Sequence, residues 1–201
     1  MGRDPADPKA TTLREYLRGT TSRSHDLLDA AMSPASDWRS AKDYVRFLME
    51  QYTARLSVES WLTQQAPAHL RPPRQTPLLL RDLQKLGATS PAQGLQFELD
   101  YRSQATAVGA AWVLAGSSLG NRAMLNDMKQ ALPEGVALPH EFLSSRAMTA
   151  FWKVLRKRVE APAGEAEAKE AARSAVCVFE HFLSVAGSPA GSTARELEGV
   201  K

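Results

Sequence analysis

The sequence predicts an all-α fold, a single-domain helical bundle of six to seven helices. Apolar residues recur at spacings of three and four along most of the chain, which is the period of an amphipathic helix. Runs of alternating β-branched residues and Asn-Gly hairpin signals, which would indicate strands, are missing from the sequence. A hydrophobic fraction of 43% over 201 residues is enough for one core.

We expect one domain over residues 11–186, between a flexible tail at 1–10 and a disordered tail at 187–201. The predicted helices cover about residues 13–32, 38–65, 76–86, 95–102, 105–132, 141–159 and 166–185. The segment at 95–102 can also join the helix after it, which is why the count is six or seven.

Start and stop signals justify the first two helices. Thr11 or Thr12 can cap the first helix, and Glu15 stands at the position where a capping box places its acid. Ser36 or Asp37 can cap the second helix, which continues with aromatic and aliphatic residues at helical spacing.

Proline and glycine delimit the remaining helices. A proline-rich connection over residues 66–76 leads into the third helix, which Gly87 closes. A Pro-Glu-Gly sequence at 133–135 ends the glycine-containing helix, and the segment APAGEAE separates the last two helices. All of these elements are compatible with one helical bundle.

The helix predicted from residue 105 carries three glycines on one face. Gly109 and Gly116 lie within about 20° of each other around the helix axis, and Gly120 lies about 40° further on. Each glycine costs roughly 1 kcal/mol of helix stability relative to alanine. Either another helix packs backbone to backbone on this face, or a flat ligand lies against it. The spacing alone leaves both explanations open.

His25 is the first candidate for chemistry. The inward face of its helix contains Leu17, Thr21, His25, Leu28 and Met32. A neutral imidazole is a common metal ligand, although most histidines on an apolar face are structural. Asp29 follows one turn later and could hold the far ring nitrogen, as carboxylates beside metal-bound histidines do. Arg18 lies two turns earlier and could meet an anionic group of the same ligand.

Charge and composition exclude several classes of function. The net charge of +3 and the pI of about 9.1 fall short of a nucleic-acid-binding surface. The chain has no apolar run long enough to span a membrane and no signal-peptide pattern at its start, so we expect a cytoplasmic protein. Cys177 is the one cysteine and stands between two valines, which favours a core position over a nucleophile.

Four stretches together resemble the heme oxygenases, and in particular the bacterial branch. LRGTTSRSHDLLD at 17–29 is similar to the proximal-helix pattern of that family, and WVLAGSSLGN at 112–121 is similar to its kinked distal helix. FWKVLRKR at 151–158 and EAARSAVCVFEHF at 170–182 are similar to its last two helices. The resemblance implies a helical bundle of the heme oxygenase-like type.

The resemblance also implies roles for individual residues. His25 would be the proximal ligand of the heme iron, and Asp29 would take the place of the carboxylate beside it. Arg18 and Arg156 would bind the heme propionates. The distal face of the site, where the backbone approaches the reacting oxygen, would be formed by Gly116, Ser117, Gly120 and Asn121.

Five positions depart from the family pattern. Ser117 stands where many members have an aspartate, although bacterial relatives also have serine there. Asn121 replaces a small residue, and Trp112 and Ala115 replace the usual bacterial Tyr and Glu. Ala111 holds the place of a propionate-binding tyrosine. These departures bear on turnover more than on heme binding.

The function implied by the resemblance is oxidative opening of heme, which is both cofactor and substrate, to biliverdin, Fe²⁺ and CO with O₂ and external electrons. A ferredoxin or a NAD(P)H-dependent reductase would supply the electrons, and the basic run at 156–158 offers a docking face for an acidic partner. A bacteriophytochrome is a candidate receiver of the bilin. The alternatives are a heme carrier or sensor that has lost turnover, and a heme-free relative such as a thiaminase-type enzyme or an interaction module.

Overall fold

The computed structural model describes residues 12–32, 40–89, 95–132 and 137–187, so the two expected tails lie outside the described residues except for Gly187. The helices are α1 (Leu13–Met32), α2 (Ala41–Gln65), α3 (Thr76–Lys85), α4 (Gln104–Ser117), α5 (Asn121–Ala131), α6 (Glu141–Ser144), α7 (Ala147–Val159) and α8 (Glu165–Ala186). A 3-10 turn (Ala68–Leu70) lies between α2 and α3. Over these ranges the prediction of an all-α fold is confirmed, since no strand is present and seven helices have ten or more residues.

The last helix forms the centre of the main core. α8 packs against both α1 and α4, and these two contacts are the most extensive between helices. α4 is almost entirely buried, as its apolar sequence requires. A smaller core joins α2, α3, α5 and α6. No described helix is long and apolar enough to cross a bilayer.

The predicted capping box at the start of α1 is present. The Thr12 hydroxyl accepts a hydrogen bond from the Glu15 N–H at 3.2 Å, and the Glu15 carboxylate accepts one from the Thr12 N–H at 2.8 Å. The second helix begins later than predicted, at Ala41, where the Ser40 hydroxyl caps the N–H of Asp43. The expected caps Ser36 and Asp37 lie outside the described residues.

The helix predicted over residues 95–102 is wrong, because this segment has no regular secondary structure. Two of its carbonyl groups accept hydrogen bonds from side chains of α2 and α8. The Trp61 indole N–H donates to the Leu99 carbonyl at 2.8 Å, and Arg173 donates to the Asp100 carbonyl at 3.2 Å. Ser103 and Thr106 then form a capping box that starts α4 at Gln104.

The helix predicted over residues 141–159 is also divided, into α6 and α7. The buried carboxylate of Asp82 on α3 accepts hydrogen bonds from the backbone N–H groups of Glu141 and Phe142, both at 2.9 Å. These bonds fix the start of α6 against α3, and the chain is extended at Ser145 before α7 begins. The short helix thereby brings Phe142 into the smaller core.

Candidate functional site

The two explanations that the sequence left open for the glycine face of α4 apply at different glycines. A methyl group added at Gly109 would lie 2.0 Å from the carbonyl oxygen of Ala171, so α4 and α8 pack backbone to backbone at this level. At Gly116, two turns later, an added methyl group would meet no atom within 4 Å. The first glycine therefore serves helix packing, and the second lies at an open surface.

The glycine-containing segment is two helices, and the prediction of one continuous helix is wrong. α4 ends at Ser117, a turn follows, and α5 starts at Asn121. The hydroxyl of Ser117 donates to the Leu114 carbonyl at 2.9 Å and that of Ser118 donates to the same oxygen at 3.3 Å. Such bonds from serine back to the preceding turn bend or end helices.

The turn after α4 contains the third glycine, Gly120. A methyl group added there would lie 4.0 Å from Met124 Cε and from the Ser117 carbonyl oxygen, so it would fit in van der Waals contact, whereas Gly116 faces open space. Leu119 between them is half-exposed. The end of α4 and the turn together form a surface where backbone is directly accessible to a flat apolar molecule.

His25 lies on the exposed part of α1. Leu17 and Thr21 on the same face are buried, whereas the His25 side chain is 57% exposed. Its Nδ1 lies 3.1 Å from a carboxylate oxygen of Asp29, as the spacing of four predicted. When Nδ1–H donates to that carboxylate, the lone pair of Nε2 is left to bind a metal. The ring also meets Phe179 of α8 edge to face, with centroids 6.1 Å apart.

The two predicted propionate ligands have different surroundings. Arg18 is exposed on α1, about 10 Å along the helix from His25. Arg156 on α7 binds the Glu160 carboxylate at 2.6 Å, and Arg14 binds the same carboxylate oxygen at 3.3 Å. Glu160 therefore brings Arg156 to the level of Arg14, one turn before Arg18. An exposed ion pair of this kind is worth at most about 1 kcal/mol, so Arg156 can exchange Glu160 for another carboxylate.

Asn121 is buried and its side chain is directed toward α6. Its amide nitrogen donates to the carbonyl of Phe142 at 3.4 Å. The predicted roles of Ser117 and Asn121 in turnover stay predictions, but both side chains have structural partners at the two ends of the turn. Ala111 and Ala115 lie fully inside the main core.

Trp112 is half-buried one turn before Gly116. Its indole N–H is buried and has no hydrogen-bond partner among the described residues. Buried indole N–H groups normally have an acceptor, so this unpaired group is unusual.

Arg55 lies behind the turn and was not predicted from the sequence as a site residue. Arg55 on α2 is 1% exposed, and its Nη2 donates to the Ser117 hydroxyl oxygen at 2.7 Å. The signal was present in the sequence, because an arginine at an inward position of an amphipathic helix is unusual.

Two solved structures share this fold. A structure of the NO- and CO-bound heme oxygenase from Neisseria meningitidis matches with a TM-score of 0.65 and 20% sequence identity, over 88% of this chain and 91% of that chain. The heme oxygenase from Leptospira interrogans matches with a TM-score of 0.64 and 20% identity, over 88% of this chain and 98% of that one. No family model and no curated protein sequence matches the chain. The fold is thus that of the bacterial heme oxygenases.

Proposed function

We propose that this protein is a heme oxygenase, which binds heme between α1 and the turn after α4 and opens it to biliverdin, Fe²⁺ and CO. The observation that carries the proposal is the pair formed by His25 and Asp29, in which one ring nitrogen is held by a carboxylate and the other is left for a metal. The open backbone at Gly116 and Gly120 supports it. The fold supports it as well, since both similar structures are named heme oxygenases.

The residues present fit a heme group. When bound, heme supplies the iron and the macrocycle that is oxidised. Nε2 of His25 would bind the iron, with Asp29 fixing the ring orientation and the tautomer. Gly116 and Gly120 leave the room that side chains would otherwise take, and a bulky residue at either position would exclude the ring.

Two cations are proposed to bind the propionates. Arg18 lies on the same helix as His25, and Arg156 is brought near that helix by Glu160. Their guanidinium groups would fix the rotation of the ring about the axis through the iron, since a guanidinium can bind a carboxylate with two parallel hydrogen bonds. Arg18 and Arg156 would in this way help to select the position at which the ring is opened.

The partners follow from the same proposal. An external donor, a ferredoxin or a NAD(P)H-dependent reductase, would supply electrons, and a bacteriophytochrome is one candidate receiver of the bilin. The basic run at the end of α7 is a proposed docking face, although Arg156 and Arg158 are already paired with Glu160 and Glu167. We propose the cytoplasm as the compartment.

Titration with heme followed by reduction in air tests the proposal. We expect a 1:1 complex whose Soret band decays on addition of reductase or ascorbate while a biliverdin band grows, with biliverdin identified by chromatography. Catalase is added throughout, so that peroxide formed in solution does not degrade the heme. A stable Soret band under these conditions would indicate the carrier or sensor instead, and the absence of any complex would exclude both.

The properties of Cys177 bear on the heme-free alternative. A heme-free enzyme with a thiol nucleophile would need a reactive cysteine. Burial and the nearby Glu180 instead raise the pKa of the Cys177 thiol, which keeps it protonated at neutral pH.

A further inference from the structure

Arg55 is a buried cation without a carboxylate partner. Among the described residues no acidic group lies within salt-bridge distance of its guanidinium. Its Nε donates to the Gln51 side chain at 3.0 Å, its Nη2 donates to Ser117, and its Nη1 is buried without a partner. The rings of Phe142 and Phe182 face the guanidinium carbon at 5.3 and 6.0 Å.

The nearest acid, Glu59, favours the charge of Arg55 through space but forms no salt bridge with it. Glu59, one turn later on α2, uses both carboxylate oxygens to bind the N–H groups of Gln75 and Thr76 at the start of α3. Burial lowers the pKa of Arg55 to about 10, so the guanidinium remains charged at neutral pH. A positive charge therefore lies directly behind the open turn.

Arg55 and Phe142 together hold both ends of the turn. Arg55 binds Ser117, the last residue of α4, and the Phe142 carbonyl accepts from Asn121, the first residue of α5. The ring of Phe142 lies against the guanidinium of Arg55. The conformation of residues 117–121, and hence the position of the open backbone, depends on this unit.

We propose that Arg55 is a positioning residue, which fixes the turn through Ser117 and gives this end of the site a positive potential that favours an anionic ligand on the heme. Only the electrostatic role rests on the proposed function. The positioning role concerns the protein alone and does not require heme.

A buried ion that forms no salt bridge usually destabilises a protein, and an apolar residue of similar volume is often neutral or stabilising in its place. Arg55→Met should therefore unfold within about 4 °C of the wild type or above it. If Arg55 served only the stability of the fold, this substitution should lower the unfolding temperature by much more than that.

Hydrogen exchange of the protein without heme tests the positioning role. In Arg55→Met and Ser117→Ala, amides of residues 118–122 should exchange about tenfold faster, because a hydrogen bond to a charged group is lost. Arg173→Met is the matched control, since it removes a half-buried arginine near the start of α4, about 20 Å from the turn. Unchanged exchange at 118–122 in both variants would overturn the positioning role.

Ligand binding to the ferric heme complex tests the potential. Azide affinity should fall about tenfold in Arg55→Met, while affinity for neutral imidazole stays within about twofold. Arg173→Met should keep the azide affinity of the wild type within the same margin, because the charge at Arg55 is retained. Equal changes for azide and imidazole would overturn the electrostatic role.

The two proposals fail in distinguishable ways. A wild-type protein that binds no heme contradicts the proposed function and the electrostatic role, while the exchange measurement still decides whether Arg55 fixes the turn. If Arg55→Met does not fold, Arg55→Gln replaces it in both measurements. Heme binding with normal azide affinity in these variants contradicts the electrostatic role alone.

Discussion

Gly109 and Gly116 lie two turns apart on α4, yet a methyl group would meet opposite surroundings at the two positions. At Gly109 it would be 2.0 Å from a backbone oxygen of α8, which cannot move independently of its helix. At Gly116 it would enter open space. The cost of glycine in a helix is recovered by packing at the first position, and we attribute it to ligand binding at the second.

Gly116→Ala should separate stability from function. In the protein without heme we expect stabilisation of up to about 1 kcal/mol, since alanine is the better helix former and meets no neighbour. Heme affinity or biliverdin yield should fall, because the methyl group would occupy the space proposed for the ring. Thermal unfolding with and without heme measures both effects.

Gly109→Ala is the matched control on the same helix. Here α4 and α8 must move apart, and overpacking of this kind costs about 1–3 kcal/mol or more. The unfolding temperature should fall with or without heme. Equal destabilisation by the two alanine substitutions would mean that protein packs on Gly116 as well, and the proposed site would be lost.

At the scale of elements, α6 depends on side chains of α3. The Glu141 carboxylate binds Arg81 and Lys85, both at 2.7 Å. Hydrogen bonds from Lys85 and then Arg81 lower the pKa of Glu141 to about 2 from its usual 4.5. Because the folded state holds the charged form, this ion pair stabilises the protein above pH 4.5 and is lost as the pH falls toward 2.

Glu141→Gln should accordingly flatten the acid limb of the stability curve between pH 4.5 and 2. The unfolding midpoint in urea, measured across this range, should change less with pH than in the wild type. Glu165→Gln is the control, since Glu165 pairs only with Lys169 in its own helix and is largely exposed. An acid limb equally steep in Glu141→Gln and the wild type would show that the α3–α6 pair does not contribute.

Local signals in the sequence were sufficient where each helix is defined by its own residues. The closure of α3 by Gly87, which has a φ of +70°, follows directly from its position. The irregular segment at 95–102 could not be predicted, because two of its carbonyl groups are bound by Trp61 and Arg173 from distant parts of the chain. The division of the predicted helix at 141–159 likewise depends on Asp82 from α3.

The candidate site also has some features that local spacing predicts and others that depend on distant parts of the chain. The pairing of His25 with Asp29 follows from a spacing of four on one helix. The sequence could not show that Gly109 is covered and Gly116 is open, because that depends on which helix packs on α4. Arg55 lies at an inward position, since Tyr44, Leu48, Gln51, Arg55, Val58 and Leu62 are all buried at spacings of three and four. Read as one stripe, these positions would have indicated a buried cation, but not its contact with Ser117.

At the scale of the whole molecule, the net charge is +3, and the basic run on α7 contributes three of the positive charges. Two of these three form ion pairs with carboxylates. Arg156 and Arg158 have carboxylate partners, whereas Lys157 is exposed and has no ion-pair partner among the described residues. Lys157 is therefore the member of the run that is most available to an acidic electron donor.

Lys157→Glu should slow reduction of the heme complex by an acidic ferredoxin without changing heme affinity. The wild-type rate should fall as salt rises from 0.01 to 0.5 M (values chosen for the experiment), because screening weakens electrostatic steering. Lys169→Glu, on another helix, is the control. A reduction rate independent of salt and of Lys157 would place the docking surface elsewhere.

The most direct measurement of the central claim is the resonance Raman spectrum of the ferrous heme complex, compared between the wild type and His25→Ala. We predict an iron–histidine stretching band in the wild type that disappears in the variant and returns when imidazole is added. A band that persists in His25→Ala, or a wild-type spectrum without one, would contradict the assignment of His25 as the ligand and with it the proposed site.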